Sequence, residues 1–130
     1  MLTKVVEYGG SDLFITADFP PSIKHQGLMK PFGQQTLTAE KTTLFAYSLM
    51  NEKQRNEFET ELECNFAITV PGISRFRVNV FQQQLNIGMV IRTITAEIPN
   101  FQKLKLPESL KHVIMEKRGL VLVVGGTGSG

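Results

Sequence analysis

The stretch Arg75-Phe76-Arg77-Val78-Asn79-Val80-Phe81 constrains the fold of this chain more than any other. Phe76, Val78 and Val80 alternate with Arg75, Arg77 and Asn79, and a β-strand is the conformation that sends successive side chains to opposite faces. The run therefore predicts a strand with one face packed on apolar partners and the other polar. A turn at residues 82–84 and a second strand over 85–95 are expected to follow. Gly88 interrupts that second strand, where a bulge or a close backbone approach is expected.

Residues 11–16 read as a short strand after the Gly9-Gly10 break, Pro20-Pro21 leads to another over 22–26, and Gly27 and Gly33 bracket a further short piece. Thr38 is placed to cap a helix with Glu40 in its first turn and Leu44, Phe45 and Leu49 on its apolar face. Asn51 and Gln54 form a capping pair that opens a second helix toward Leu62, with Phe58 facing inward. Together these elements predict an α+β module, an antiparallel meander with helices on one side.

The character changes after Pro99, and a boundary is expected in the connector 99–106, dividing the chain into domains 1–98 and 99–130. Pro107 stands where a helix tolerates proline best. Leu110, Val113 and Ile114 give that helix its apolar stripe, Lys117 and Arg118 suit its C-terminal end, and Gly119 suits the residue beyond. Leu120-Val121-Leu122-Val123-Val124 then reads as a strand buried on both faces of a parallel sheet.

Composition narrows the function classes. The 130 residues are 42% apolar and 20% charged, ordinary globular usage, enough for one domain or one domain and part of a second. Fourteen basic against twelve acidic residues leave a net charge of +2, too little to argue for a nucleic-acid or membrane-surface partner. Cys64 is the sole cysteine, which excludes an internal disulfide and suits a reducing compartment. No secretory leader is visible, and the run 120–124 is far short of a membrane span. A cytoplasmic protein without direct membrane insertion is expected.

Gly125-Gly126-Thr127-Gly128-Ser129-Gly130 follow the expected buried strand and match the first six positions of the phosphate loop G-x-x-x-x-G-K-[ST]. Glycines are needed there because the loop curls its backbone N–H groups around an anion in conformations a Cβ obstructs. The lysine, the magnesium-binding hydroxyl and the helix that complete the motif are not among these residues, so the chain reads as a piece of a larger nucleotide-binding protein, itself unable to hydrolyse ATP. A flexible Gly/Ser tail is the plain alternative.

With these residues in view the whole chain resembles a known family. Gly10-Ser11-Asp12-Leu13-Phe14-Ile15-Thr16, Pro20-Pro21 and the Gly27 turn look like the opening signature of the type IV pilus retraction ATPases, within the secretion-ATPase superfamily. Glu63-Cys64-Asn65-Phe66-Ala67-Ile68, Arg75-Phe76-Arg77-Val78, Leu106-Pro107 and Lys117-Arg118-Gly119-Leu120-Val121 continue the likeness. Phe14 stands where PilT-type members carry histidine; with Met50-Asn51-Glu52 and the 63–66 segment, it resembles the PilU-like branch.

The resemblance implies a PAS-like N-terminal domain, a linker, and the first strand and partial phosphate loop of a RecA-like ATPase domain. It further implies ATP and Mg2+ in the parent protein, a homo-hexamer on the cytoplasmic side of the pilus machine, and partners among related retraction ATPases and inner-membrane platform proteins. Arg77 and Arg92 match the family's strand arginines that reach ATP phosphates on domain closure. A guanidinium suits that role because it is always charged and forks onto phosphate oxygens.

From spacing alone, strand arginines read first as surface charge or as cross-strand partners of Glu63 and Glu97; it is the family resemblance that favours the phosphate role for Arg77 and Arg92. The role of Arg75 is left open. His25 and His112 lie far apart without a ligand at metal-binding spacing, so no metal site is expected. Cys64 reads as a half-buried thiol ahead of a strand, and the glutamates 57, 59, 61 and 63 as solvated charge. The competing function class is a stand-alone PAS-like docking or small-ligand module. A phosphate-loop kinase or transporter ATPase shares the glycine run but usually places it near its start.

Overall fold

In the computed structural model, which describes residues 1–94 and 100–125, the alternating run lies in the longest strand of a six-stranded, wholly antiparallel sheet. In chain order the elements are α1 (Leu2–Glu7), β1 (Asp12–Ile15), β2 (Ser22–His25), β3 (Leu28–Pro31), α2 (Ala39–Leu49), α3 (Glu52–Glu61), β4 (Glu63–Val70), β5 (Ser74–Gln83), β6 (Asn86–Ile94) and α4 (Ser109–Val113). Backbone contacts divide the chain into two units, Met1–Ala96 and Glu97–Gly130.

In the first unit the strand order is β3-β2-β1-β6-β5-β4. Two three-stranded meanders thus meet where β1 pairs with β6. The period of two sorts the side chains: Phe76, Val78 and Val80 of β5 are fully buried, while Arg75 and Arg77 are exposed. Leu13, Ile15, Ile23, Met89 and Ile91 complete the packed face, against Val5, Ala46, Met50 and Phe58 from the helical layer.

Asn51 and Gln54 form the expected capping box: Asn51 Oδ1 accepts from the Gln54 N–H and Gln54 Oε1 from the Asn51 N–H. Phe58 is buried, as its position predicts. Arg55 ties the two helices together, donating to the carbonyls of Tyr47 (2.8 Å) and Met50 (3.2 Å). Thr38 caps α2 as expected.

Several local expectations are corrected. The buried positions of α2 are Thr42 and Ala46, whereas Leu44 is 63% exposed and Phe45 only partly covered. The helix turns its small side chains to the sheet because they permit close approach, a choice apolarity alone does not reveal. Cys64 lies within β4 rather than ahead of it and is fully buried. Burial, with Glu57 nearby, pushes its thiol pKa up, so it is a protonated core group.

The turn between β5 and β6 is two residues long, Gln84 and Leu85, with φ of 47° and 67°. Positive φ at both central positions matches the twist of a tight hairpin, so β5 continues through Gln83. Gly88 marks a close approach and not a bulge: it pairs with Phe81, and an added Cβ would lie 2.9 Å from the Phe81 ring. Helix α1 was not anticipated; Val5 anchors it in the core beside Gly10.

In the second unit α4 spans five residues after Pro107, so Lys117 and Arg118 lie beyond it and Ile114 is 66% exposed. Lys111 pairs with Glu108 at 2.7 Å. Residues 120–124 form no strand and are exposed, contrary to the expected buried strand of a RecA-like sheet. Such a strand exists by hydrogen bonding to neighbours and by cover on both faces, and no strand pairs with it among the described residues.

Two stability outcomes follow from the hairpin. Replacing Gln84-Leu85 by Asn-Gly is expected to raise stability by about 1 kcal/mol, by removing strain at positive φ. Gly88→Ala is expected to lower it by about 1–3 kcal/mol through the clash with Phe81. Urea denaturation of both variants against the parent chain checks each sign.

Candidate functional site

The face of the sheet opposite the core carries the chemistry. Residues directly opposite one another on paired strands share a face, and the register aligns one row across five strands: Lys24, Asp12, Arg92, Arg77 and Ala67. Arg77 and Arg92, fifteen residues apart in the chain, are direct cross-strand neighbours. Two like charges opposite each other repel, so the pair persists only if another group offsets them.

Asp12 is that group for Arg92. Arg92 Nε donates to Asp12 Oδ1 at 2.7 Å, and Ser11 Oγ donates to Asp12 Oδ2 at 2.8 Å. The carboxylate is 8% exposed, the Arg92 side chain 65%. Burial alone would raise the Asp12 pKa, but the hydrogen bonds from Arg92 and Ser11 and the charges of Arg92 and Lys24 outweigh it and hold the carboxyl below its ordinary value. Arg77 makes no hydrogen bond or ion pair with any described side chain.

The next row holds Ser22, Phe14, Val90, Asn79 and Asn65. Asn79 Nδ2 donates to Glu63 Oε1 (2.8 Å) and to Asn65 Oδ1 (3.0 Å), and Asn65 Nδ2 donates to Glu63 Oε1 (3.1 Å). Glu63 is therefore engaged by asparagines and not by an arginine, against the cross-strand pairing considered from sequence; Glu97 lies outside the described residues. Arg77, Arg92, Asn65, Asn79 and Val90 line a shallow concavity of about 300 Å³. Two guanidinium groups at the rim of such a hollow can bind an anion with several oxygens.

Of the glycine loop, Gly125 is described and exposed, without helix or strand. Gly126, Thr127, Gly128, Ser129 and Gly130 lie outside the described residues. Among the described residues no cluster of His, Cys, Asp and Glu has the makings of a metal site, and no helix is long and apolar enough to cross a membrane. A second cleft of about 470 Å³, at the β2–β3 end, is lined by Lys4, Tyr8, His25, Lys30 and Phe32 among others.

Sequence reasoning missed Asp12 and the Glu63-Asn65-Asn79 network as site residues. Asp12 had a signal, a carboxylate heading the apolar run Leu13-Phe14-Ile15, where a charge needs a partner.

No protein-family model matches the chain. Over all 130 residues it is 50% identical to the type IV pilus ATPase PilU of Pseudomonas aeruginosa and 40% identical to the pilus retraction ATPase PilT of the same organism. Along its whole length the chain is similar to these PilU and PilT ATPases. It spans about a third of the length of these relatives, 34% and 38%. A crystal structure of the pilus retraction motor PilT with bound ADP matches 98% of the chain, and 37% of its own, with a TM-score of 0.76 at 39% identity. The Legionella pneumophila ATPase DotB shares the fold, with a TM-score of 0.64 at 21% identity over 99% of this chain and 37% of its own. The higher identity to PilU accords with the PilU-like branch expected from Phe14 and its neighbours.

The Asp12 pair makes a pH signature. A carboxyl whose pKa is lowered on folding adds stability that is fully present above its unfolded value, about 3.9, and is lost as pH falls through the folded value. Asp12→Asn is expected to cost about 1–2 kcal/mol at pH 7 and to flatten the fall in stability below about pH 4. Urea midpoints between pH 7 and pH 2.5 check both.

Proposed function

We propose that these residues are the N-terminal portion of a hexameric ATPase motor that powers type IV pilus retraction and twitching motility. In this reading residues 1–98 form the PAS-like domain, and 99–130 supply the linker and the opening of the RecA-like ATPase domain. The observation that carries it is the side-by-side placement of Arg77 and Arg92 on the uncovered sheet face, in a chain related throughout to PilU and PilT.

The residues fit a nucleotide in two respects. Paired guanidinium groups suit phosphate oxygens, and Gly125 to Gly130 match the glycine positions of a phosphate loop. When bound, ATP with Mg2+ would supply the transferable phosphoryl group. Arg77 and Arg92 would meet the phosphates as the two domains close, offsetting negative charge and reporting occupancy as a rigid-body movement. The loop glycines would hold the same phosphates by backbone N–H groups. The 130 residues by themselves lack the loop lysine and hydroxyl, so they are expected to show no ATP turnover. Partners would be five further copies, a related retraction ATPase and platform proteins at the cytoplasmic side of the inner membrane.

The test is made in the full-length protein. Arg77→Ala and Arg92→Ala are each expected to lower ATP turnover by roughly tenfold or more and to weaken nucleotide-driven domain closure; the N-terminal domain of Arg77→Ala is expected to melt near the parent, whereas Arg92→Ala, which leaves the buried Asp12 carboxylate without its partner, is expected to melt lower. Turnover and closure unchanged in both variants would refute the assignment. Tight binding of a small ligand in the 470 Å³ cleft, with no nucleotide dependence in the longer protein, would favour the docking-module alternative.

A further inference from the structure

The two arginines are not equivalent. Arg77 has no acidic partner among the described residues, whereas Arg92 already holds a carboxylate. A carboxylate presents to a guanidinium the same kind of anionic oxygen that a phosphate does. Asp12 itself is fixed: it is buried, its second oxygen is held by Ser11, and its backbone runs between β2 and β6. The Arg92 side chain is mostly exposed, so of the two partners it is the one free to leave.

We propose that Asp12 is a resident stand-in for phosphate, parking Arg92 on the sheet until an incoming phosphate displaces the carboxylate, while Arg77 is available from the outset. This inference rests on the phosphate-binding reading above and deepens it. One charge-assisted hydrogen bond is exchanged for another, so the net gain at Arg92 is small and the contact is reversible. Lys24, opposite Asp12 on β2, stays beside the vacated carboxylate and limits the cost of leaving a buried charge unpaired. Asp12 thus acts as a positioning residue: it orients Arg92, keeps it from the repulsion of Arg77, and sets how much binding energy closure must supply.

The experiment measures binding of a non-hydrolysable ATP analogue to the full-length protein. Asp12→Asn is expected to tighten binding by about threefold to tenfold, and the added Arg92→Ala is expected to abolish that gain. Unchanged or weaker binding in a folded Asp12→Asn protein would overturn the proposal. The parent protein, labelled with 15N at arginine, gives a second readout that needs no variant to fold. The Arg92 Nε–Hε signal is expected to move when the analogue is added. If Arg77 responds and Arg92 stays on its carboxylate, the exchange is wrong and the phosphate reading survives. If neither responds, both fall.

Discussion

The junction of β1 with β6 is the contact on which the rest of the first unit depends. Each meander closes its own hydrogen bonds by short connections, but the six-stranded sheet exists because Asp12 to Ile15 pair with Arg92 to Met89. One side of this seam is apolar, with Leu13 against Ile91 and Ile15 against Met89, all buried. The other side carries the Asp12–Arg92 ion pair. The packed side brings the strands together through burial, worth about 25 cal/mol per Å². The charged side favours the register in which the carboxylate meets its guanidinium, since a slip of one residue would send both to the opposite face.

That coupling explains how a sheet built for stability also presents a site. Because β5 is held against β6 in the same register, Arg77 falls directly beside Arg92. The Glu63-Asn65-Asn79 network continues the polar surface toward the edge strand β4. Phe81 lies over Gly88 on the same face. The hollow between these groups is shallow, which suits a surface completed by another domain better than one enclosing a ligand alone.

Much of this was legible because alternation is a direct consequence of strand geometry. Phe76, Val78 and Val80 announced the core, Asn51 and Gln54 announced a helix start, and Arg77 was visible as a polar-face arginine. What stayed hidden depended on partners distant in the chain. Asp12 and Arg92 meet only through long-range pairing, and no local pattern links them. The face of α2 was misread because small residues, Thr42 and Ala46, pack closely where larger Leu44 does not. Residues 120–124 have the composition of a buried strand, but pairing and cover come from neighbours, and composition cannot supply them.

The proposed function requires the open face of this sheet to meet phosphate. A structure of the full-length protein with a non-hydrolysable ATP analogue tests it most directly. The expected result is the guanidinium of Arg77 within hydrogen-bonding distance of a phosphate oxygen in at least one subunit of the closed assembly. A closed, nucleotide-filled assembly in which every Arg77 faces solvent or another protein surface, away from the phosphates, would contradict it.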